Sequence, residues 1–516
     1  MAKARHTTTL TAYDAVVIGS GIGGLTAAAL LAKAGKSVLV LEAHDRPGGY
    51  AHGFKRKKYQ FDAGVHLVSG CGPLGYEGGQ ILYKILKALN LTDELAFIRV
   101  DPFSHSYYPG FVSALWQTTE QFIDSLAQQF PEQRRGLEQL VALCVQVTKE
   151  IALAKEVMPG CDYDSAHQLL PGLCQYRKAT LAEVASEFID HPQLLAAFAS
   201  NWPYLGLPPS KVSFVYWASM LIGYMVDGAY YCKGSFQVLA DTLVKGIQQC
   251  GGELLLRTPV NKILIENNKV VGVSIHNQII ATDIVVSNAD MRQTVFELIG
   301  QEYFPERYLQ RINKMQHSLS IFVVYIATTL DLAQRTLAYE SFCYMDIDHE
   351  SNFRRTLQGD VNWISITVPT LIDAELAPAG EHLLMLTTLL PFKTTESWQQ
   401  AKPYYMEKML AIAEQHLPGL SEHIVFIEGG SPATLHRYTQ NYQGAAYGWD
   451  VTPEQTGFAR IPNHSPINGL YFSGHWTSPG GGIYGVSVSG MQAAQKALGF
   501  KRPSELWQSI SDKCDF

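Results

Sequence analysis

The stretch Tyr13–Gly49, YDAVVIGSGIGGLTAAALLAKAGKSVLVLEAHDRPGG, constrains this chain more than any other. Ala15 to Ile18 is a short apolar run that predicts a strand. Gly19, Ser20, Gly21, Ile22, Gly23 and Gly24 then form a GxGxxG turn, and Leu25 to Ala34 reads as an Ala/Leu helix stopped by Gly35. Strand, glycine turn and helix in that order predict the opening of a dinucleotide-binding βαβ unit.

The chemistry of the turn accounts for its residues. Gly19 lets the strand turn sharply, Gly21 lets backbone approach a pyrophosphate with no Cβ between them, and Gly24 lets helix and strand pack closely. The helix N-terminus offers free N–H groups and the positive end of its dipole to phosphates. A second strand, Ser37 to Leu41, ends in Glu42, 18 residues past the last motif glycine, where a carboxylate can accept hydrogen bonds from a ribose.

At 516 residues the chain exceeds the size of a single core, so at least two lobes are expected. Net charge is −7 without a basic stripe, which argues against nucleic acid as a partner. The one dense cationic run, Lys55-Arg56-Lys57-Lys58, predicts the turn of a solvated hairpin. Cysteines at 71, 144, 161, 174, 232, 250, 343 and 514 show no CxxC spacing, which argues against zinc or a disulfide framework and suits a reducing, cytoplasmic compartment. Residues 1–12 lack an apolar h-region and read as a tail, with no secretory signal. From His191 to Val226, Lys211 is the one Asp, Glu, Lys or Arg, yet Pro192, Pro203, Pro208 and Pro209 exclude a spanning helix. Two readings remain for that segment: core helices, or an apolar surface in peripheral contact with a membrane.

Along the chain, the pattern predicts a discontinuous nucleotide-binding domain from 13–90, 230–300 and 460–500. A helical substrate or lid region covers 91–229, and a β-rich substrate domain with helices covers 301–459. Glu253 to Asp283 reads as a β-meander returning to a parallel sheet through Ile284 to Ser287, and Pro403 to His416 as a helix. A second glycine cluster, Gly480-Gly481-Gly482, follows the strand Gly469 to Ser473 and precedes a helix over Ser487 to Leu498. Adjacent glycines predict close backbone approach to a flat group, and the helix aims its positive end there.

GSGIGGL...LEAHDRPGG, the middle segment KGSFQVLADTLVKGIQQCGGELLLRTPVNKILIENNKVVGV, the Asn288-Ala289-Asp290 tripeptide and GLYFSGHWTSPGGGIYGVSVSGMQAA together resemble the phytoene-desaturase-like flavoproteins. That group includes carotenoid desaturases, prolycopene isomerases and retinol saturases, and FDAGVHLVSG, Phe61 to Gly70, is most similar to the last two. The resemblance implies an α/β fold: a Rossmann-type FAD-binding domain of the glutathione-reductase and flavin amine oxidase type, interleaved with an α+β substrate domain that has an antiparallel sheet and a helical lid. It implies FAD as cofactor. Gly19 to Gly24 would face the pyrophosphate, Glu42 and Ala43 the adenosine ribose, Arg46, Gly48 and Gly49 the flavin side, and Val260 the adenine. Gly474 and His475 would sit near the pyrophosphate and ribityl chain, with Gly482, Ile483 and Tyr484 at the isoalloxazine. His475 stands where many relatives carry an acid, and Lys233 where many carry glycine, which predicts an altered cavity wall.

The same resemblance implies a hydride moved at a carbon–carbon double bond of a long hydrophobic polyene, with the electron partner unspecified. Desaturation, saturation and redox-neutral cis-trans isomerisation share this architecture. His66 is the candidate acid or base, and Tyr447, Trp449 and Tyr231 are candidate pocket residues. An amine-oxidase-like enzyme of small polar amines and a non-catalytic FAD or prenyl carrier are the competing classes. No metal site is expected.

Overall fold

The computed structural model describes residues 8–10, 12–72, 80–116, 118–158, 162–276, 278–333, 335 and 337–511. Cys161 and Cys514 lie outside the described residues.

Five parallel strands form the first sheet, in the order Glu253–Leu255, Val38–Leu41, Ala15–Ile18, Ile284–Ser287, Leu470–Phe472. Ala15–Ile18 and Val38–Leu41 are buried at every position. This explains why they read as continuous apolar runs, since a parallel sheet is covered on both faces. The helix Ile22–Lys33 crosses the helix Gly482–Ala497 at Gly490, where a Cβ would lie 2.2 Å from the Gly23 carbonyl oxygen. Only a glycine permits that approach. Three sequence segments far apart in the chain thereby close into one sheet.

A four-stranded sheet holds the expected meander, Val260–Glu266, Lys269–Ile275 and Gln278–Ala281, with Asn267 and Asn268 both at positive φ in the first turn. Thr8–Leu10, read from sequence as part of a tail, instead adds a parallel edge strand to Gln278–Ala281. The basic run is a hairpin turn, as predicted: Gly53–Arg56 pairs with Tyr59–Asp62.

The third sheet has seven strands in the order Ile424–Gly430, Ser320–Thr328, His382–Leu390, Trp363–Thr367, Glu340–Tyr344, Ser104–Tyr108, Phe111–Leu115. Two of these come from 91–229, where Ser104–Tyr108 pairs parallel to Glu340–Tyr344. One face carries Phe322, Val324, Ile364, Ile366, Leu384 and Leu386 against the helix Trp398–His416. That helix starts five residues before Pro403, because Ser397 and Gln400 form a reciprocal capping box. The opposite face looks into a cavity.

The uncharged segment 191–226 is core and cavity wall. Trp202, Phe214, Trp217 and Leu221 are at most 1% exposed, as the core-helix reading expects. Among the described residues no helix is long and apolar enough to cross a membrane.

Candidate active site

The helix Ile22–Lys33 begins at Gly21 with no side chain capping its first N–H groups. Its turn is closed to side chains: a Cβ on Gly24 would lie 2.2 Å from the Gly19 carbonyl oxygen, and one on Gly21 would lie 2.7 Å from Asn288 Nδ2. Asn288 follows the strand Ile284–Ser287, donating from its backbone N to the carbonyl of Ile18, at the end of the neighbouring central strand, at 2.8 Å. Its Oδ1 accepts from Ser473 Oγ at 3.2 Å and would be 2.7 Å from a Cβ on Gly474. One amide therefore touches both the first glycine turn and Gly474, a role the sequence did not assign to it.

Glu42 follows Val38–Leu41 at the carboxyl edge of the sheet. Its carboxylate accepts from Ser20 N and Ser20 Oγ, both at 2.7 Å, and from His44 N at 2.8 Å. A carboxylate has about four acceptor sites, so one is left for a ribose hydroxyl. Ala43 is exposed beside it, and Thr258 N bonds to the Glu42 carbonyl at 2.8 Å, bringing Val260 to the same edge. Gly48 N donates to Ser20 O at 2.9 Å, so Gly48 and Gly49 run alongside the turn. Arg46 is committed to the Gly53 carbonyl at 2.9 Å and Asp45 at 3.1 Å, and braces the hairpin.

On the other side, Gly481 begins the helix Gly482–Ala497, again with no side-chain cap. Two uncapped helix N-termini, glycines with no room for Cβ, and an acceptor for a ribose lie on one sheet edge. This donor set fits an extended dinucleotide. Gly19 to Gly24, Glu42 and Gly474 would hold its pyrophosphate and ribose end, while Gly482, Ile483 and Tyr484 would meet its ring.

His475 is neutral. Burial and the Arg460 guanidinium push its pKa down to about 3, and Nε2 sits 3.3 Å from Asn441 Oδ1. Arg460 is itself 1% exposed and donates to the carbonyls of Thr477, Asp450, Gln455, Trp449 and His475. It ties loop 449–460 to the loop that leads into the second glycine cluster. Replacing it by Leu leaves the carbonyls of Thr477, Gln455, Trp449 and His475 without this donor, while Asp450 O keeps Gln455 Nε2 at 3.2 Å, so Arg460→Leu is expected to cost about 4 kcal/mol. Urea unfolding checks this, and a loss under 1 kcal/mol would show that the brace is dispensable.

Beside the second cluster opens a cavity of about 1350 Å³. Gly482, Ile483, Tyr484 and Tyr447 form part of its wall, and Ile321, Val323, Phe342, Met385 and Leu389 lie on its sheet side. Tyr447 is placed there by its Oη, which donates to the Pro203 carbonyl at 2.8 Å. Three sequence assignments need correction. Trp449 is not in the wall: Gly448, at φ +72°, reverses the alternation, and Trp449 packs edge-on against Trp476 at 4.8 Å in the core. Tyr231 is fully buried, its Oη donating to Asp62 Oδ2 at 2.8 Å. Lys233 points outward, 4.0 Å from Glu375, and shapes no wall.

His66 does line the cavity. Its Nδ1 lies 3.1 Å from the Gly64 carbonyl, and its Nε2 lies 3.0 Å from both oxygens of Glu340. Glu340 is fully buried and also accepts from the Tyr204 hydroxyl. Tyr339 Oη donates to the His66 carbonyl at 2.5 Å. Burial works against a charge on His66, but the Glu340 carboxylate and the Gly64 carbonyl outweigh it and raise its pKa. Both ring nitrogens face acceptors, which is the environment of an imidazolium. Nothing in the sequence marks Glu340, because ESFCY reads as an apolar strand.

A sequence profile described as flavin containing amine oxidoreductase matches residues 22–498. The chain belongs to this family. It is a flavin oxidoreductase with FAD as its cofactor, and the sequence reading agrees in both fold class and cofactor. The chain is 29% identical to a chloroplastic prolycopene isomerase of Daucus carota over 96% of its own length and 82% of the relative's. It is 27% identical to an all-trans-retinol 13,14-reductase of Danio rerio, covering 89% of this chain and 82% of that one. Cyclohexylamine oxidase from Brevibacterium oxydans shares the fold, with a TM-score of 0.60 at 16% identity over 97% of this chain and 100% of that one.

Proposed function

We propose that this flavoenzyme acts on carbon–carbon double bonds of a long conjugated lipid of the carotenoid or retinoid kind, saturating or desaturating them. The cavity carries this reading. Its volume, about 1350 Å³, would be shared with the flavin ring yet exceeds the roughly 300–1,000 Å³ of an ordinary small-molecule pocket, and its sheet side presents Ile321, Val323, Phe342, Met385 and Leu389 in place of charge. The relatives named for polyene isomerisation and retinol reduction support the same class of substrate.

Bound FAD supplies or takes up a hydride. Adding hydrogen across a double bond uses that hydride and one proton, and removing hydrogen returns both. His66 is a titratable group of the wall suited to exchange the proton: one N–H leaves its protein acceptor for the substrate and breaks as the C–H bond forms, with Glu340 holding the ring. Tyr204 fixes Glu340, while the apolar floor keeps water from the reacting carbons.

Isomerisation is a second reading, favoured by the similarity to the prolycopene isomerase. Anaerobic incubation of the photoreduced holoenzyme with a polyene decides between them by product mass. A gain of two hydrogens, or their loss with oxidised enzyme, is expected. Altered geometry at unchanged mass would replace the redox reading with isomerisation.

A further inference from the structure

The sheet side of the cavity is not uniformly apolar. Strand pairing sets its residues in rows, with Val323 opposite Thr387, Thr387 opposite Ser365, and Ser365 opposite Phe342. In the next row Tyr325 is opposite Met385, Met385 opposite Thr367, and Thr367 opposite Glu340. Directly opposed residues have Cβ atoms about 5 Å apart. Thr387, Ser365 and Thr367 therefore form a hydroxyl stripe that ends at Glu340.

Ser365 and Thr387 line the cavity, and Ser365 is 3% exposed. Among the described residues neither hydroxyl has a hydrogen-bond partner in the protein. Thr367 Oγ1 is fully buried and likewise unpartnered. A buried hydroxyl without a partner, such as that of Thr367, keeps an uncompensated desolvation penalty. Apolar side chains of the same size would avoid that cost on a floor otherwise built of Ile, Val, Met, Leu and Phe. The arrangement makes sense when a ligand oxygen completes the bonds.

We propose that Ser365 and Thr387 bind an oxygen function of the substrate, so that the preferred polyene is an alcohol rather than a hydrocarbon. This rests on the polyene reading above and narrows it. A hydroxyl donates and accepts, matching two groups that do the same. Anchoring the polar end at the stripe sets which double bond of the chain lies before the glycine loop at Gly482.

The test uses the FAD-loaded protein and two polyenes of equal chain length, one with a terminal hydroxyl and one a hydrocarbon, both presented in the same detergent micelles. Affinities come from quenching of tryptophan fluorescence, so the readout does not depend on turnover. The native protein is expected to bind the alcohol at least about tenfold more tightly. Ser365→Ala, Thr387→Val and the double variant should lower that ratio stepwise, the double variant bringing it close to one, while the flavin spectrum verifies that each variant is folded. A ratio already near one in the native protein, or one unchanged in the folded double variant, overturns the hydroxyl assignment and leaves the polyene reading standing. Failure of both polyenes to bind removes the polyene reading and this assignment with it.

Discussion

Gly24→Ala is expected to yield a colourless protein. The added Cβ would stand 2.2 Å from the Gly19 carbonyl oxygen, a backbone atom that cannot swing aside, and 3.0 Å from Asn288 Cβ. Relief requires the helix Ile22–Lys33 to back away from the strand Ala15–Ile18, carrying off the N–H groups that face the pyrophosphate. Overpacking of this kind costs about 1–3 kcal/mol by itself. Losing the cofactor adds more, because FAD at about 1,000 times its Kd stabilises the holoenzyme by about 4 kcal/mol. The purified variant should lack flavin absorbance near 450 nm and melt well below the native holoenzyme, with added FAD restoring little of either. A yellow variant with native melting would mean that the turn has slack the geometry does not show.

That site was legible because its signal is local. Gly19 to Gly24, Glu42 and the glycines at 480–482 each sit at the end of an element whose apolar pattern announces it, and their spacing follows from the length of one βαβ unit. The cavity was less legible. Ser320–Thr328 is apolar on both faces, one against the helix Trp398–His416 and one toward the cavity, so no alternation marks Val323 as wall and Val324 as core. Trp449 was misplaced because Gly448 turns the chain at positive φ, which spacing alone does not reveal. Pro403 looked like a helix start, and the capping box at Ser397 outranked it. Glu340 was invisible for a deeper reason: its partner His66 is 274 positions away, and only the sheet order brings Glu340 beneath the DAG turn.

Glu340→Gln tests what that long-range contact does. The carboxamide keeps an oxygen for Tyr204 and turns its NH₂ toward His66 Nε2, so a neutral ring with one proton on Nδ1 is satisfied and the fold survives. What is removed is the charge that holds His66 protonated. A histidine raised in the folded state lends stability that is complete below its unfolded value near 6.5 and fades as pH rises through the folded value. In the native enzyme, turnover that needs protonated His66 should follow the same alkaline decline. In Glu340→Gln the decline should move to lower pH, and turnover at pH 7.5 should fall by up to about 100-fold, the scale of a lost acid–base catalyst. Asp62 is the other titrating group nearby. Burial raises it to about 6, although the Phe236 N–H and Tyr231 hydroxyl bonded to it oppose that rise. Any limb it adds lies on the acid side and should appear in both proteins. Flavin content and spectrum serve as the control for folding. If the variant retains native turnover and an unshifted alkaline limb, the His66–Glu340 pair is a structural brace, and the proton must come from elsewhere in the wall.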